Sequence, residues 1–269
     1  MIKKIHYIWL GGKIPPSVSY CINSWKKYCP DFEIIEWNEK NFNTNGFIWV
    51  REAIANKKYA FASDFIRLWI LERYGGIYVD TDVEFKRNIH SIIKADFISA
   101  IENFHYGTHN LDDIDENGID KKTGKTISGF GINAGFIYAE PHNHIIQHIL
   151  KVTYYNGNRH FQNGNGTLNQ IIIDGILMEA LHKLHGLKYI DKTQNLNNNI
   201  LIYNSEIIST KSSLSSTSLI IHWYDQTWNT KSRFIEKLEK LIKIRFPRLY
   251  RTLYYTFKSI NFKKINIKA

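Results

Sequence analysis

Tyr74-Gly-Gly-Ile-Tyr-Val-Asp-Thr-Asp82 is the stretch on which the reading of the fold turns. Its two glycines suit the end of a helix. Its apolar Ile77-Tyr-Val79 run reads as a buried strand. Asp80 and Asp82 begin where the apolar residues stop, which places two carboxylates at the strand's carboxyl end. Carboxylates at i and i+2 on an extended strand end point to one side, where both reach one hard cation. Ligands of open α/β sheets bind outside the carboxyl ends of the strands, and a metal there can bridge the two phosphates of a nucleotide. A pair of turn aspartates is the alternative reading, and the sharp apolar-to-acidic boundary is what argues against it.

Upstream of this stretch the pattern is helical. Residues 62–74 carry a stripe of Phe65, Leu68, Trp69 and Glu72, with Ser63 expected as N-cap. Asp64 and Arg67 then share a helix face at i, i+3. A companion helix covers 48–58. Further back, 5–10 reads as a strand, 17–28 as a helix with Val18, Cys21, Ile22 and Trp25 on one side, and 33–37 as a second strand. β-α-β within 40 residues favours a parallel sheet. Downstream, strands are expected at 96–101, 135–139 and 219–222. Helices are expected at 142–153 and 167–184, the latter opening at Thr167. Polar loops are expected at 103–128 and 194–199. The fold class is therefore α/β, with a mainly parallel central sheet.

The whole-chain numbers fit a globular chain with a sizeable core. Of 269 residues, 43% are hydrophobic, 22% charged and 14% aromatic, which excludes a disordered chain or a disulfide scaffold. The formal charge of +10 lies entirely in residues 230–269, which hold 12 basic and 2 acidic side chains; residues 1–229 hold 23 of each. A neutral domain with a basic tail argues against a nucleic-acid partner, which the overall charge alone would suggest. Cys21 and Cys29 show no zinc spacing and read as reduced thiols of an intracellular protein. The apolar start of the chain is broken by His6 and lacks a cleavage site, and no run approaches a spanning length.

Four segments together resemble the DXD-containing sugar transferases: Ile5–Gly12, Cys21–Trp25, Phe61–Arg67 and Tyr74–Asp82. That family includes bacterial capsule and lipooligosaccharide enzymes, initiating mannosyltransferases and the catalytic domains of large clostridial glucosylating toxins. The resemblance covers about residues 3–88 and thins through Asn133–Gly135, Gly164–Thr167 and His222–Trp228. It implies a GT-A-like domain over 1–229, a UDP-sugar donor, a divalent ion (Mn²⁺ ahead of Mg²⁺) and retention at the anomeric carbon. By the same resemblance Trp9 stacks on uracil, and Ser63 and Asp64 contact ribose and sugar hydroxyls. Arg67 contacts sugar or phosphate, and Tyr78 lies against the diphosphate. Asp80 reaches ribose and metal, and Asp82 is the main metal ligand. His222 is the third metal ligand, Trp228 covers the diphosphate, and Asn133 holds a sugar hydroxyl. For His222 the alternative is a strand-end histidine bonded to a backbone carbonyl, and for Asn133 a turn residue. His222-Trp-Tyr-Asp-Gln-Thr-Trp228 departs from the family pattern, with Thr where Ser is usual and a longer spacer.

Three motif matches fail on context. Gly129–Ala134 has the GxGxxA spacing but precedes a strand. Asp113–Gly124 lacks the closing Glu of a calcium loop. His144 and His148 lack the intervening glutamate of a zinc-protease helix. The expected function is a metal-dependent retaining hexosyl or N-acetylhexosaminyl transferase, with a bacterial surface glycan or lipid-linked glycan as acceptor. Alternatives using the same carboxylates are a diphosphate hydrolase, a nucleotidyltransferase, or a silent sugar-binding module. In the tail, Ile235, Leu238, Ile242, Leu249, Leu253, Phe257 and Ile260 form an apolar stripe among basic faces, divided by Pro247 into two helices. Basic amphipathic helices lie at anionic membrane surfaces. The expected location is cytoplasmic, peripheral at the inner face of the plasma membrane. A helical hairpin packed on the domain is the rival.

Overall fold

A computed structural model of the chain describes residues 1–103, 113–125, 130–225 and 234–266; of 103, 234–238 and 257–266 it describes the backbone alone. Trp228 therefore lies outside the described residues, as do residues 104–112 and 126–128 of the expected 103–128 loop.

In chain order the elements are β1 (Lys4–Ile8), α1 (Pro16–Tyr28), β2 (Glu33–Trp37), α2 (Ile48–Ala55), α3 (Tyr59–Tyr74), β3 (Gly76–Val79) and β4 (Val83–Phe85). There follow β5 (Phe97–Asn103), β6 (Phe130–Ile132), β7 (Phe136–Ala139), α4 (His144–Val152) and α5 (Ile173–His185). The chain continues with β8 (Gln194–Leu196), β9 (Ile200–Tyr203), β10 (Ile208–Thr210) and β11 (Ile220–His222), then α6 (Phe234–Arg245) and α7 (Pro247–Asn266). The central sheet runs β2-β1-β3-β7-β5-β9-β8, with β6 paired to β5; β10-β11-β4 form a second, small sheet. β1 is parallel to both β2 and β3, and β5 is parallel to β9, while β7 enters antiparallel between β3 and β5. The class is the α/β one expected.

Period-2 alternation divides the core between the two sheet faces. Ile8, Tyr78 and Ile137 point to the side covered by α2–α5. Ile5, Tyr7, Ile77 and Val79 point to the side covered by α1 and the small sheet, against Cys21 and Trp25. Gly75 ends α3 with φ +59° and its N–H on Leu71 O. A Cβ on Gly76 would come within 2.9 Å of Lys4 O, so the glycine lets β3 lie close against β1.

Several expectations are corrected. α3 begins at Tyr59, so Ser63 is not its cap; the Ser63 hydroxyl sits inside the helix and donates to Ala60 O at 2.7 Å. α5 begins at Ile173. Thr167 instead closes a turn, its N–H and hydroxyl both bonded to Asn165 Oδ1. The expected loop 194–199 opens with β8, which pairs antiparallel with β9. Pro247 does divide the tail into two helices.

The tail helices lie against the domain. Tyr250, Tyr254 and Tyr255 surround the buried Trp223 ring. Arg251 is fully buried, and the outward positions carry Leu249 and Leu253, each about half exposed. The buried face of α7 is thus its tyrosine and arginine face, and Leu249 and Leu253 of the apolar stripe point out. Among the described residues no helix is long and apolar enough to cross a membrane.

Candidate active site

β1 and β3 deliver their carboxyl ends to one rim, above which lies a pocket of about 680 Å³. Trp9 follows β1 at its edge. Its backbone N–H is held by Trp37 O and its indole N–H by Gly12 O at 3.0 Å, so one ring face is fixed at the pocket. Asp80, Thr81 and Asp82 form the turn from β3 into β4. This turn is anchored twice, by Asp80 N–H on Gly135 O and by Trp223 N–H on Asp82 O.

β11 pairs with β4 so that His222 lies opposite Val83, next to the turn. Its Nε2 is 3.2 Å from Asp82 Oδ1 and 3.9 Å from Asp80 Oδ2. Among the described residues no backbone carbonyl takes this ring; carboxylates face it. Donor atoms of Asp80, Asp82 and His222 all fall within 4.8 Å of one another. Gly135 makes room for the imidazole, because a Cβ there would sit 2.7 Å from His222 Cε1.

Arg67 occupies the floor and is nearly buried. Its guanidinium donates to Ala134 O at 2.7 Å, pairs with Asp64 Oδ1 at 2.7 Å, and lies 3.5 Å from Asp80 Oδ1. It also sits over the Tyr78 ring, 4.6 Å from the centroid. Tyr78 is itself buried, and its hydroxyl donates to Asp80 Oδ1 at 2.7 Å. Its place is beneath Asp80, orienting that carboxylate, rather than on the open floor. Ser63 borders the pocket through its backbone neighbourhood and supplies its carbonyl to Arg67 Nε. Asn133 lies in the β6–β7 turn, wholly buried, and neither atom of its amide has a hydrogen-bond partner among the described residues. A buried amide left unpaired costs about 1–3 kcal/mol, so it stands ready for a partner.

Three acidic residues in this cluster were missed by the sequence reading. Glu102 ends β5, with Oε1 3.8 Å from His222 Nδ1. Asp174 opens α5 and accepts Ala134 N–H at 3.1 Å. Asp225 donates its backbone N–H to Asp82 Oδ2 at 2.8 Å. Burial pushes Glu102 well above the usual carboxylate range and also raises Asp174. Asp64 is pushed up to about 7, by burial first and then by Asp174 and Asp80 against the opposing pull of Arg67. Burial also opposes charge on Asp82, but the facing imidazole outweighs it and holds the carboxyl below its usual range. His222 moves the other way: burial lowers it, and Asp82 more than reverses that.

The balance of charge is the informative feature. Among the described residues, Asp64, Asp80, Asp82, Glu102 and Asp174 face Arg67 and His222, while Asp225 behind Asp82 carries its own partners, Lys243 and Arg251. Carboxylate and imidazole donors converging in a region short of positive charge fit a divalent ion.

Residues 15–98 match the family model described as the glycosyltransferase sugar-binding region containing the DXD motif. Asp80-Thr-Asp82 lies within the matched residues and has the DXD pattern. It is 29% identical over 102 residues to inositol phosphoceramide mannosyltransferase 1 of Schizosaccharomyces pombe, covering 35% of this chain and 32% of that one. It is 28% identical over 110 residues to subversion of eukaryotic traffic protein A of Legionella pneumophila, covering 30% of this chain and 17% of the relative. The match thus spans a third or less of either relative. Among solved structures, the PaToxG glycosyltransferase aligns over 68% of this chain and 69% of its own, at 19% identity and a TM-score of 0.43.

Proposed function

We propose that the protein is a GT-A-like, metal-dependent retaining glycosyltransferase that moves a hexose or N-acetylhexosamine from a UDP-sugar to a bacterial surface glycan, free or lipid-linked. The observation that carries this reading is the convergence of Asp80, Asp82 and His222 at the sheet's carboxyl rim, inside a cluster with more carboxylates than cations. Mannosyl transfer in one relative's name supports the reaction class.

In this reading the three residues hold the divalent ion, which offsets the negative charge growing on the leaving diphosphate. Trp9 stacks on the uracil, a contact worth about 1–3 kcal/mol. Arg67 holds Asp64 and Asp80 in place, so that Asp64 meets sugar hydroxyls and Asp80 meets ribose and ion together. Asn133 offers its unpaired amide to a sugar hydroxyl, and Trp228 covers the diphosphate. Retention follows if the leaving phosphate takes the acceptor's proton on the same face.

The test is UDP release from UDP-sugars with and without candidate acceptors, in Mn²⁺ and in chelator. Release that requires acceptor and is abolished by chelator supports transfer. Release of UMP and sugar 1-phosphate in place of UDP makes the protein a diphosphate hydrolase, and saturable binding without release makes it a sugar-binding module.

The same proposal places the protein in the cytoplasm, against the anionic inner face of the plasma membrane. A cleft of about 1050 Å³ between α1 and the α6–α7 junction is ringed by Lys13, Lys27, Arg245 and Arg248. Phe246 and Leu249 stand exposed at its edge. Sedimentation with anionic but not neutral vesicles, lost in high salt, is the expected outcome.

A further inference from the structure

Trp223-Tyr-Asp225 leaves β11 and folds back across the candidate metal centre. Tyr224 has φ +50°, in the left-handed region that costs a residue with a side chain about 1–2 kcal/mol. Its ring stacks on that of His222, centroids 3.8 Å apart and planes 23° apart. The next residue, Asp225, gives its N–H to Asp82 Oδ2. One short, strained turn therefore orients two of the three candidate ligands, His222 through stacking and Asp82 through a hydrogen bond.

The groups that hold this turn belong to the tail. From α6, Lys243 Nζ donates to Trp223 O at 3.3 Å and Tyr224 O at 3.2 Å, and pairs with Asp225 Oδ1 at 2.8 Å. Lys243 thus hydrogen-bonds two successive carbonyls of the turn and offsets the charge of its third residue. From α7, Arg251 lies 3.4 Å from Asp225 Oδ2 and 3.7 Å from Glu84 Oε2. Lys243 and Asp225 are both nearly buried, so the contact is not an exchangeable surface pair.

We propose that Lys243 is a positioning residue for a divalent cation, and that α6 and α7 clamp the turn that aims Asp82 and His222. The tail is then part of the site rather than an appendage to it. The cation's role in transfer rests on the function proposed above, but the clamp does not.

The experiment uses the full-length chain with Lys243→Met, which removes the charge and the donors, and Lys243→Gln, which keeps an uncharged donor. Hydrogen exchange is followed at residues 223–225, and Mn²⁺ affinity is measured directly by titration. Disturbing the partners of metal ligands lowers affinity about 10–100-fold, and that loss is expected for Lys243→Met, with a smaller loss for Lys243→Gln. The Asp225 amide should exchange faster in both, while β1 and β3 stay protected. Unchanged exchange at Asp225 in a folded variant overturns the clamp. Faster exchange with Mn²⁺ affinity kept within about twofold of the parent overturns the positioning role and leaves only packing. Should Lys243→Met fail to fold, Lys243→Gln carries both measurements. If the parent itself takes up no Mn²⁺, the metal-dependent function is what fails, and exchange at Asp225 still decides the clamp.

Discussion

Two buried charge clusters lie side by side in this protein, and they are built on opposite rules. At the tail junction Glu84 and Asp225 face Lys243 and Arg251, two acids against two bases. Glu84 is further satisfied by the Trp223 indole at 2.9 Å and by the Tyr20 and Tyr255 hydroxyls, each at 3.2 Å. At the pocket five carboxyls face Arg67 and His222, and Glu102, Asp174 and Asp64 are all pushed up by burial. A balanced cluster holds a fold together. An unbalanced one stores repulsion that a cation from outside relieves.

Substitutions of the burial-raised carboxyls should therefore act with the opposite sign to those in the balanced cluster. Asp82→Asn removes one of the crowded carboxylates and a proposed metal ligand. Turnover should fall by about 10³-fold or more. The melting temperature in chelator should fall too, because the facing His222 makes the Asp82 charge stabilising; Asp174→Asn, at a carboxyl raised by burial, should instead hold or raise it. Near-normal turnover in Mn²⁺ would remove Asp82 from the metal centre. Arg251→Met, in the balanced cluster, leaves Asp225 and Glu84 short of a partner. Loss of one member of a buried pair costs about 3–5 kcal/mol, which urea unfolding would read. A loss below about 1 kcal/mol would make the junction a surface-like contact.

His6 tests a third arrangement, a buried group kept neutral. Its Nδ1 accepts the Trp37 indole N–H at 3.1 Å, so its Nε2 donates to Gly75 O at 3.0 Å. Burial lowers it from 6.5 to about 4. A depressed histidine is fully stabilising above its unfolded value and loses that contribution as pH falls from 6.5 toward 4. The loss amounts to about 2–3 kcal/mol. His6→Gln should flatten that part of the stability curve relative to the parent. The smallest effect expected is at the pocket rim. Trp9→Ala should weaken UDP binding by about 1–2 kcal/mol and spare turnover, since stacking on the base is the same in ground and transition states. Unchanged UDP affinity would make Trp9 a strand-end packing residue.

What was legible in the sequence was what short range decides. Gly75-Gly76 ends a helix, Asp80 and Asp82 follow an apolar strand, and Asp64 lies one turn before Arg67. Glu102 and Asp174 reach the site only because β5 lies one strand from β3, across β7, and α5 packs beside β6, over tens of residues of chain. A weak signal was present: Ser99-Ala-Ile-Glu102 and Ile171-Ile-Ile-Asp174 repeat the apolar-then-acidic boundary of Ile77-Tyr-Val-Asp80. The orientation of the tail was not legible. Its apolar stripe reads as a membrane-facing side, with packing on the domain as the rival. Asp225 and Glu84, buried by tertiary packing, draw the arginine and tyrosine face inward instead. Ser63 and Thr167 mislead for a related reason: both are good caps, but helix starts there are set by packing, at Tyr59 and Ile173.

Arg251 also roofs a thiol. Its Nη1 donates to Cys21 Sγ at 3.2 Å, and burial pushes that thiol up to about 12. Cys29, at the far end of α1, is buried too and pushed up to about 11. Neither sulfur is an effective nucleophile until water reaches it. Alkylation kinetics in native buffer thus become a clock with two hands. Equal rates mean that the whole domain opens at once. A faster Cys21 means that α7 lifts away by itself and settles back, at a frequency the reagent counts.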